Sequence, residues 1–95
     1  MNRLALGTVQ FGMEYGIANN SGQFSSTEIK EVLRLAKIND IDTLDTAISY
    51  GDSEKKLGKN NLDEFNIVTK IPKISEHKNI DKLILEYIKT SLERL

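Results

Sequence analysis

The feature that most constrains the fold of this sequence is an alternation of short apolar segments with helical segments, which occurs three times. The predicted strands run from Leu4 to Thr8, from Thr43 to Ala47 and from Asn66 to Ile71. No hairpin signal joins them, and crossover helices return the chain so that successive strands run parallel, with right-handed connections. The sequence therefore predicts an α/β fold in which three parallel strands lie next to each other in chain order.

The first crossover helix has a clear start signal. Ser25 and Glu28 have the spacing of a capping box, in which each side chain accepts a hydrogen bond from the other residue's backbone N–H. Apolar residues then recur with the helical period, which predicts a helix from about Thr27 to Lys37. Asn39 can end this helix in the left-handed conformation. The preceding segment from Gln10 to Gln23 is rich in glycine and asparagine and is predicted to be a long loop.

Two further helices are predicted in the second half of the sequence. Ser53 supplies a cap and Glu54 an early acidic residue for a short helix that ends near Gly58. Asn79 can cap a third helix, whose apolar face comprises Ile80, Ile84, Tyr87, Ile88, Ser91, Leu92 and Leu95. No repeat or linker interrupts this order, so we expect a single unit without an internal domain boundary.

Composition argues against several classes of function. The 13 basic and 14 acidic residues give a net charge of -1 and are interspersed, so the sequence lacks the basic surface that binds nucleic acids or anionic membranes. No apolar run is long enough to span a bilayer, and the N-terminus lacks the pattern of a signal peptide. With no cysteine, the sequence predicts a cytoplasmic protein without disulfides.

Metal sites and nucleotide loops are not predicted. His77 is the only histidine and has polar neighbours, so it is interpreted as a solvated loop residue and not as a metal ligand. Gly7 and Gly12 have the spacing of a phosphate-binding loop, but Met13 stands where such a loop requires lysine. The glycines near the N-terminus therefore carry no nucleotide-loop signature.

Three polar residues lie near or just after the C-terminal ends of the second and third predicted strands and are candidates for catalytic residues. Asp45, Tyr50 and Lys70 are expected at the C-terminal ends of parallel strands, where α/β folds place their ligands. A phenol has a pKa of about 10 and can donate a proton near neutral pH only if a nearby cation stabilises the phenolate. Lys70 can be that cation, and Asp45 can hold it charged. The alternative is a structural ion pair beside an unrelated loop aromatic, and spacing alone leaves both open.

The order of motifs resembles the N-terminal part of the aldo-keto reductase family over almost the whole sequence. The motifs that carry the resemblance are Leu6-Gly7-Thr8 with Phe11-Gly12, Asp45-Thr46-Ala47 with Tyr50-Gly51, Ser53-Glu54 with Leu57-Gly58, and Val68-Thr69-Lys70. The resemblance implies a (β/α)8 barrel that binds NADPH without a Rossmann fold and reduces an aldehyde or ketone. Residues 1–95 would then be the incomplete N-terminal part of a single barrel domain, comprising its first three βα units.

The resemblance also implies roles for individual residues. Tyr50 would be the general acid, Lys70 the group that promotes its ionisation, and Asp45 the partner that holds Lys70. Gly7, Thr8 and Asp45 would contact the cofactor near its nicotinamide. The family's catalytic histidine has no counterpart in this sequence, because His77 precedes the third helix and does not follow it.

Other classes of function remain open from the sequence. The protein could be an α/β binding module that kept the motif without the reaction, or a reductase-like subunit that senses redox state for a protein partner. For the reductase, the expected partner is a small carbonyl compound, with no nucleic acid and no membrane. Because an unpaired third strand would expose backbone donors and apolar surface, we also expect residues 1–95 alone to self-associate and to be inactive.

Overall fold

A computed structural model describes residues 3–13, 24–74 and 79–95, and within these ranges the sheet has the predicted topology. Strands β1 (Leu6–Gly7), β2 (Thr43–Asp45) and β3 (Asn66–Val68) are parallel and ordered β1-β2-β3. Leu44 pairs with Leu6 on one side and with Ile67 on the other. The prediction of three adjacent parallel strands in chain order is therefore confirmed, although each strand is shorter than predicted.

Four helices accompany the strands in the described ranges. They are α1 (Val9–Gly12), α2 (Ser26–Ile38), α3 (Ser53–Leu57) and α4 (Ile80–Arg94). The last three were predicted, and α1 was not. The predicted loop from Gln10 to Gln23 is therefore wrong at its start, since one helical turn follows β1 directly. The rest of that loop lies largely outside the described residues.

Helix α2 begins with the predicted capping box. The Ser25 Oγ accepts a hydrogen bond from the backbone N–H of Glu28 at 3.2 Å, and a Glu28 carboxylate oxygen accepts one from the backbone N–H of Ser25 at 3.1 Å. These bonds favour the charged carboxylate and lower the pKa of Glu28. At the other end Asn39 is the C-cap with φ of −97°, and Asp40 adopts the left-handed conformation with φ of 59°. The expectation that Asn39 would be left-handed is wrong by one residue.

The hydrophobic core lies between α2 and the sheet. Ile29, Leu33 and Ala36 of α2 are buried against Leu44, the central residue of the central strand. The other buried members of the cluster are Phe11, Leu57 and Phe65. Helix α1 and helix α3 thus each insert one side chain into the same core.

Helix α4 differs from α2 because part of its apolar face is left exposed beside the sheet. The Asn79 side chain caps its first turn by accepting a hydrogen bond from the N–H of Lys82 at 3.4 Å. The predicted apolar face is partly exposed, since Ile88 and Leu92 keep 45% and 74% of their surface in solvent. An apolar groove of about 330 Å³ lies between β3 and α4 and is lined by Ile67, Thr69, Ile71, Ile88, Ser91, Leu92 and Leu95. In the described parts of the chain, no helix is both long and apolar enough to cross a membrane.

Candidate active site

Asp45 and Lys70 meet at the C-terminal end of the sheet. Asp45 is the last residue of β2 and pairs with Val68, and Lys70 lies two residues beyond Val68, so both side chains project from the same face. Backbone bonds from Thr46 N–H to the Val68 carbonyl (2.8 Å) and from Ile48 N–H to the Lys70 carbonyl (3.1 Å) continue the pairing past the strands. The Lys70 Nζ lies 2.8 Å from the Asp45 Oδ1. The predicted ion pair is present.

Tyr50 lies beside this ion pair. Its backbone N–H donates to the Ala47 carbonyl at 3.1 Å, which forms a turn directly after β2. The turn continues through Gly51, whose φ of 56° is unfavourable for residues with a side chain. The Lys70 Nζ lies 5.2 Å from the centre of the Tyr50 ring, within the range of a cation–π interaction. The structure therefore brings together the acid, the phenol and the amine that the sequence singled out.

The electrostatics of the cluster favour a charged Lys70. The hydrogen bond to Asp45 raises the pKa of Lys70, the negative charge of Asp45 and the contact with Tyr50 act in the same direction, and partial burial opposes them. Lys70 is thus an ammonium at neutral pH. The side chains of Lys70 and Asp45 keep 46% and 39% of their surface in solvent, so the cluster borders open space.

Gly7 and Thr8 approach this cluster from β1. The backbone N–H and the hydroxyl of Thr8 both donate to the carbonyl oxygen of Asp45, each at 3.0 Å. Thr8 is fully buried, so its side chain fixes the backbone of Asp45 and presents no surface to a ligand. Gly7 pairs with Asp45 and is exposed, and a Cβ atom built on it would have no atom within 4 Å. Gly7 therefore leaves open space beside Asp45.

Ser53 has a different position from the one predicted. Asp52 is the N-cap residue of α3, and the Asp52 side chain forms no capping hydrogen bond. The Ser53 hydroxyl donates to the Thr8 carbonyl at 2.8 Å and is buried. Gly12 permits this approach, because a Cβ atom there would overlap the backbone of Tyr50 and Ser53. The prediction that Ser53 caps α3 is wrong, since its hydroxyl connects α3 to the end of β1.

Glu54 is the residue whose environment the sequence did not reveal. It lies in the first turn of α3, as predicted, but only 1% of its surface is exposed. Its Oε2 accepts hydrogen bonds from the hydroxyls of Thr69 (2.8 Å) and Ser91 (2.6 Å), and its Oε1 lies 3.4 Å from the Arg94 guanidinium. A signal was available in Ser91, because a serine on the otherwise apolar face of α4 indicates a buried polar partner.

His77 and the solvated loop predicted for it lie outside the described residues. The described residues contain no histidine, because His77 is the only one in the sequence. The site as described therefore consists of a carboxylate, a phenol and an amine.

Comparison with known proteins assigns the family. A sequence model of the aldo/keto reductase family matches residues 3–95. The chain belongs to this family. No curated protein sequence matches it significantly. The family assignment and the parallel sheet agree, because the three strands and their helices match an N-terminal fragment of an aldo-keto reductase barrel.

Two solved structures are similar to this aldo/keto reductase chain. One is the crystal structure of a candidate aldo-keto reductase from Pseudomonas aeruginosa, with 30% sequence identity and a TM-score of 0.76. It is matched over 96% of the present chain and 37% of its own length. The other, also a candidate aldo-keto reductase from Pseudomonas aeruginosa, has 27% identity, a TM-score of 0.73, and coverage of 96% and 36%. The chain thus spans little more than a third of the length of these relatives.

Proposed function

We propose that the protein that contains this sequence reduces an aldehyde or ketone to an alcohol with a nicotinamide cofactor, NADPH being the form that the family resemblance implies. The observation that carries the proposal is the ion pair of Lys70 with Asp45, 2.8 Å long, beside the Tyr50 ring. Family membership supports oxidoreductase chemistry in general. The domain assignment is part of the proposal: residues 1–95 form the N-terminal part of one barrel domain.

The roles proposed for the three side chains follow from their charges and contacts. The Tyr50 hydroxyl donates a proton to the carbonyl oxygen, and the resulting phenolate is stabilised by the Lys70 ammonium. Asp45 keeps Lys70 charged and oriented through the direct hydrogen bond. Thr8 acts one step further away, because its two hydrogen bonds to the Asp45 carbonyl fix the end of β2.

The residues present fit the nicotinamide side of such a cofactor. Gly7 leaves open space next to Asp45, and the carboxylate of Asp45 is partly exposed towards solvent. Gly7 and Asp45 would hold the nicotinamide end, and the two hydrogen bonds from Thr8 would fix the backbone of Asp45. When bound, the cofactor supplies the hydride that the carbonyl carbon accepts, and Tyr50 supplies the proton that completes the alcohol.

Substitution of Tyr50 tests the proposal in the full-length protein encoded by the complete gene. Tyr50→Phe removes the proton donor and keeps the ring, so we expect the turnover number to fall by about 10²- to 10⁴-fold with little change in cofactor affinity. Tyr87→Phe in α4 removes an equivalent hydroxyl outside the site and serves as the control. Steady-state reduction of an aldehyde panel and fluorescence titration with NADPH measure the two quantities. Unchanged turnover in Tyr50→Phe would refute the role of Tyr50.

Location and partners belong to the same proposal. The expected partner is a small carbonyl compound, because the polar cluster borders an open surface that a small molecule can reach. A cytoplasmic location stays a prediction from the cysteine-free sequence. Fractionation of cells that express the tagged full-length protein tests it, and recovery in the membrane or secreted fraction would contradict it.

A further inference from the structure

A buried carboxylate lies behind the candidate site and takes no part in the proton transfer described above. The Glu54 cluster consists of Glu54, Thr69, Ser91 and Arg94, which come from α3, the end of β3 and α4. The Glu54 side chain is 99% shielded from solvent, and each of its oxygens has at least one donor. Burial of a carboxylate is costly unless it is hydrogen-bonded, and this one is fully engaged.

The position of the cluster along the chain connects it to the candidate site. Thr69 directly precedes Lys70, so the hydrogen bond from the Thr69 hydroxyl to Glu54 fixes the backbone from which Lys70 projects. On the other side, the backbone N–H of Ser53 donates to the Tyr50 carbonyl at 3.0 Å, so the start of α3 is hydrogen-bonded to the Tyr50 turn. One side-chain hydrogen bond, 2.8 Å long, thus joins the segment that carries Lys70 to the segment that carries Tyr50, in addition to the backbone bond from the Ile48 N–H to the Lys70 carbonyl.

We propose that Glu54 is a positioning residue for the candidate site: its carboxylate, through the Thr69 hydroxyl, sets the position of Lys70 relative to the Tyr50 ring. The effect of Glu54 on catalysis rests on the proposed function, whereas its effect on the position of Lys70 can be measured without turnover. The 5.2 Å separation between the Lys70 Nζ and the Tyr50 ring is the quantity that Glu54 maintains. A displacement of about 1 Å at a reacting group can reduce a rate by about 10²-fold.

The competing interpretation is that Glu54 only attaches α4 to the fold. Ser91 and Arg94 of α4 contact the same carboxylate, and they have no direct connection to Lys70 or Tyr50. The two interpretations differ in which hydroxyl matters to the site. A positioning role requires the Thr69 hydroxyl, whereas a purely structural anchor would make the Thr69 and Ser91 hydroxyls equivalent.

The test compares three variants in the full-length protein. Thr69→Val removes the hydroxyl and keeps the shape, Thr69→Ser restores the hydroxyl, and Ser91→Ala removes the other hydroxyl that Glu54 accepts. The primary measurement is the NMR chemical shift of the Lys70 ε-methylene protons, together with their nuclear Overhauser contacts to the Tyr50 ring. Lys70→Met assigns these signals. The proximity of Lys70 to the ring predicts an upfield shift in the wild-type protein.

We expect Thr69→Val to lose most of the upfield shift and the contacts, and to lower kcat about 10- to 100-fold with less effect on KM. Thr69→Ser should restore both quantities, and Ser91→Ala should leave the Lys70 signals and, within twofold, kcat unchanged. The proposal is overturned if Thr69→Val leaves the Lys70 signals as in the wild type, or if Ser91→Ala changes them equally. It is also overturned if Thr69→Val fails to fold, because the hydroxyl would then be a requirement of the fold.

Failure of the proposed function would be recognised separately. A wild-type protein that reduces no carbonyl compound refutes the reductase activity, and the NMR comparison of the three variants still decides whether Glu54 positions Lys70. Conversely, an active enzyme whose Lys70 signals ignore Thr69→Val keeps its function and loses the role proposed for Glu54.

Discussion

Replacement of Asp45 by asparagine separates the electrostatic role of this residue from its structural one. The substitution keeps the size of the side chain and removes the charge that lies 2.8 Å from the Lys70 Nζ. Because both side chains keep more than a third of their surface in solvent, screening limits the pair to about 0.2–1 kcal/mol of the free energy of unfolding at neutral pH. At a typical urea dependence of about 2 kcal/mol/M, the midpoint of unfolding should fall by less than about 0.5 M.

The difference in stability between the wild type and Asp45→Asn should depend on pH, and the direction of this dependence follows from the pKa of Lys70. The pKa of Lys70 is raised in the folded protein, so its contribution to stability is complete below the unfolded value of about 10.4. That contribution is lost as the pH rises through the folded pKa. The stability difference between wild type and Asp45→Asn should therefore be constant from pH 7 to about pH 9.5 and should shrink above pH 10.

Urea unfolding of the full-length protein at several pH values between 7 and 11 measures this difference. Glu64→Gln is a matched control, since it also removes one negative charge but from a looser ion pair with Lys37, 3.7 Å long and away from the site. At pH 7 the loss of stability in Glu64→Gln should be no larger than the loss in Asp45→Asn, because the Lys37–Glu64 pair is longer and Glu64 keeps 76% of its side-chain surface in solvent. A loss of more than about 2 kcal/mol in Asp45→Asn at pH 7, or a difference that grows with pH, would refute the reasoning.

Two further predictions concern packing and the exposed edge of the sheet. Gly58→Ala should lower the free energy of unfolding of the full-length protein by about 1–3 kcal/mol, because the added Cβ would overlap the Arg94 carbonyl. Gly7→Ala is the control and should change that free energy by no more than about 0.5 kcal/mol, since a Cβ there has open space. Equal losses of the two variants in urea unfolding would contradict this prediction. Residues 1–95 expressed alone should self-associate or be only partly ordered and should oxidise no NADPH with a panel of aldehydes, because β3 and α4 expose an apolar groove. Sedimentation and an absorbance assay test both parts, and a stable active monomer would contradict them.

Much of the fold follows from short-range patterns in the sequence. The capping box of Ser25 and Glu28 is confirmed because its two hydrogen bonds join residues three positions apart. The parallel order of the strands follows from helical connections that lie between every pair of strands. The pairing of Asp45 with Lys70 could also be predicted, since polar residues at the ends of neighbouring parallel strands share one edge of the sheet.

Other features depended on contacts between distant parts of the chain. Helix α1 was missed because the glycines near it favour a loop, and its burial rests on the fit of Gly12 against the Tyr50 turn. The role of Ser53 was mistaken because a serine before a helical segment is more often a cap than a donor to a carbonyl 45 positions away. No pattern local to α3 distinguishes these two uses of a hydroxyl.

The sequence by itself determined the family, the order of the strands and the three residues of the candidate site, because each rests on local spacing or on strand order. Only the tertiary structure decided what surrounds them. Glu54 is an acidic residue in the first turn of a helix by sequence, and it becomes a buried acceptor for Thr69 and Ser91 only when β3 and α4 pack against α3. The physical reason is that burial and long-range hydrogen bonds are properties of the packed chain, whereas capping and periodicity are properties of a few neighbouring residues.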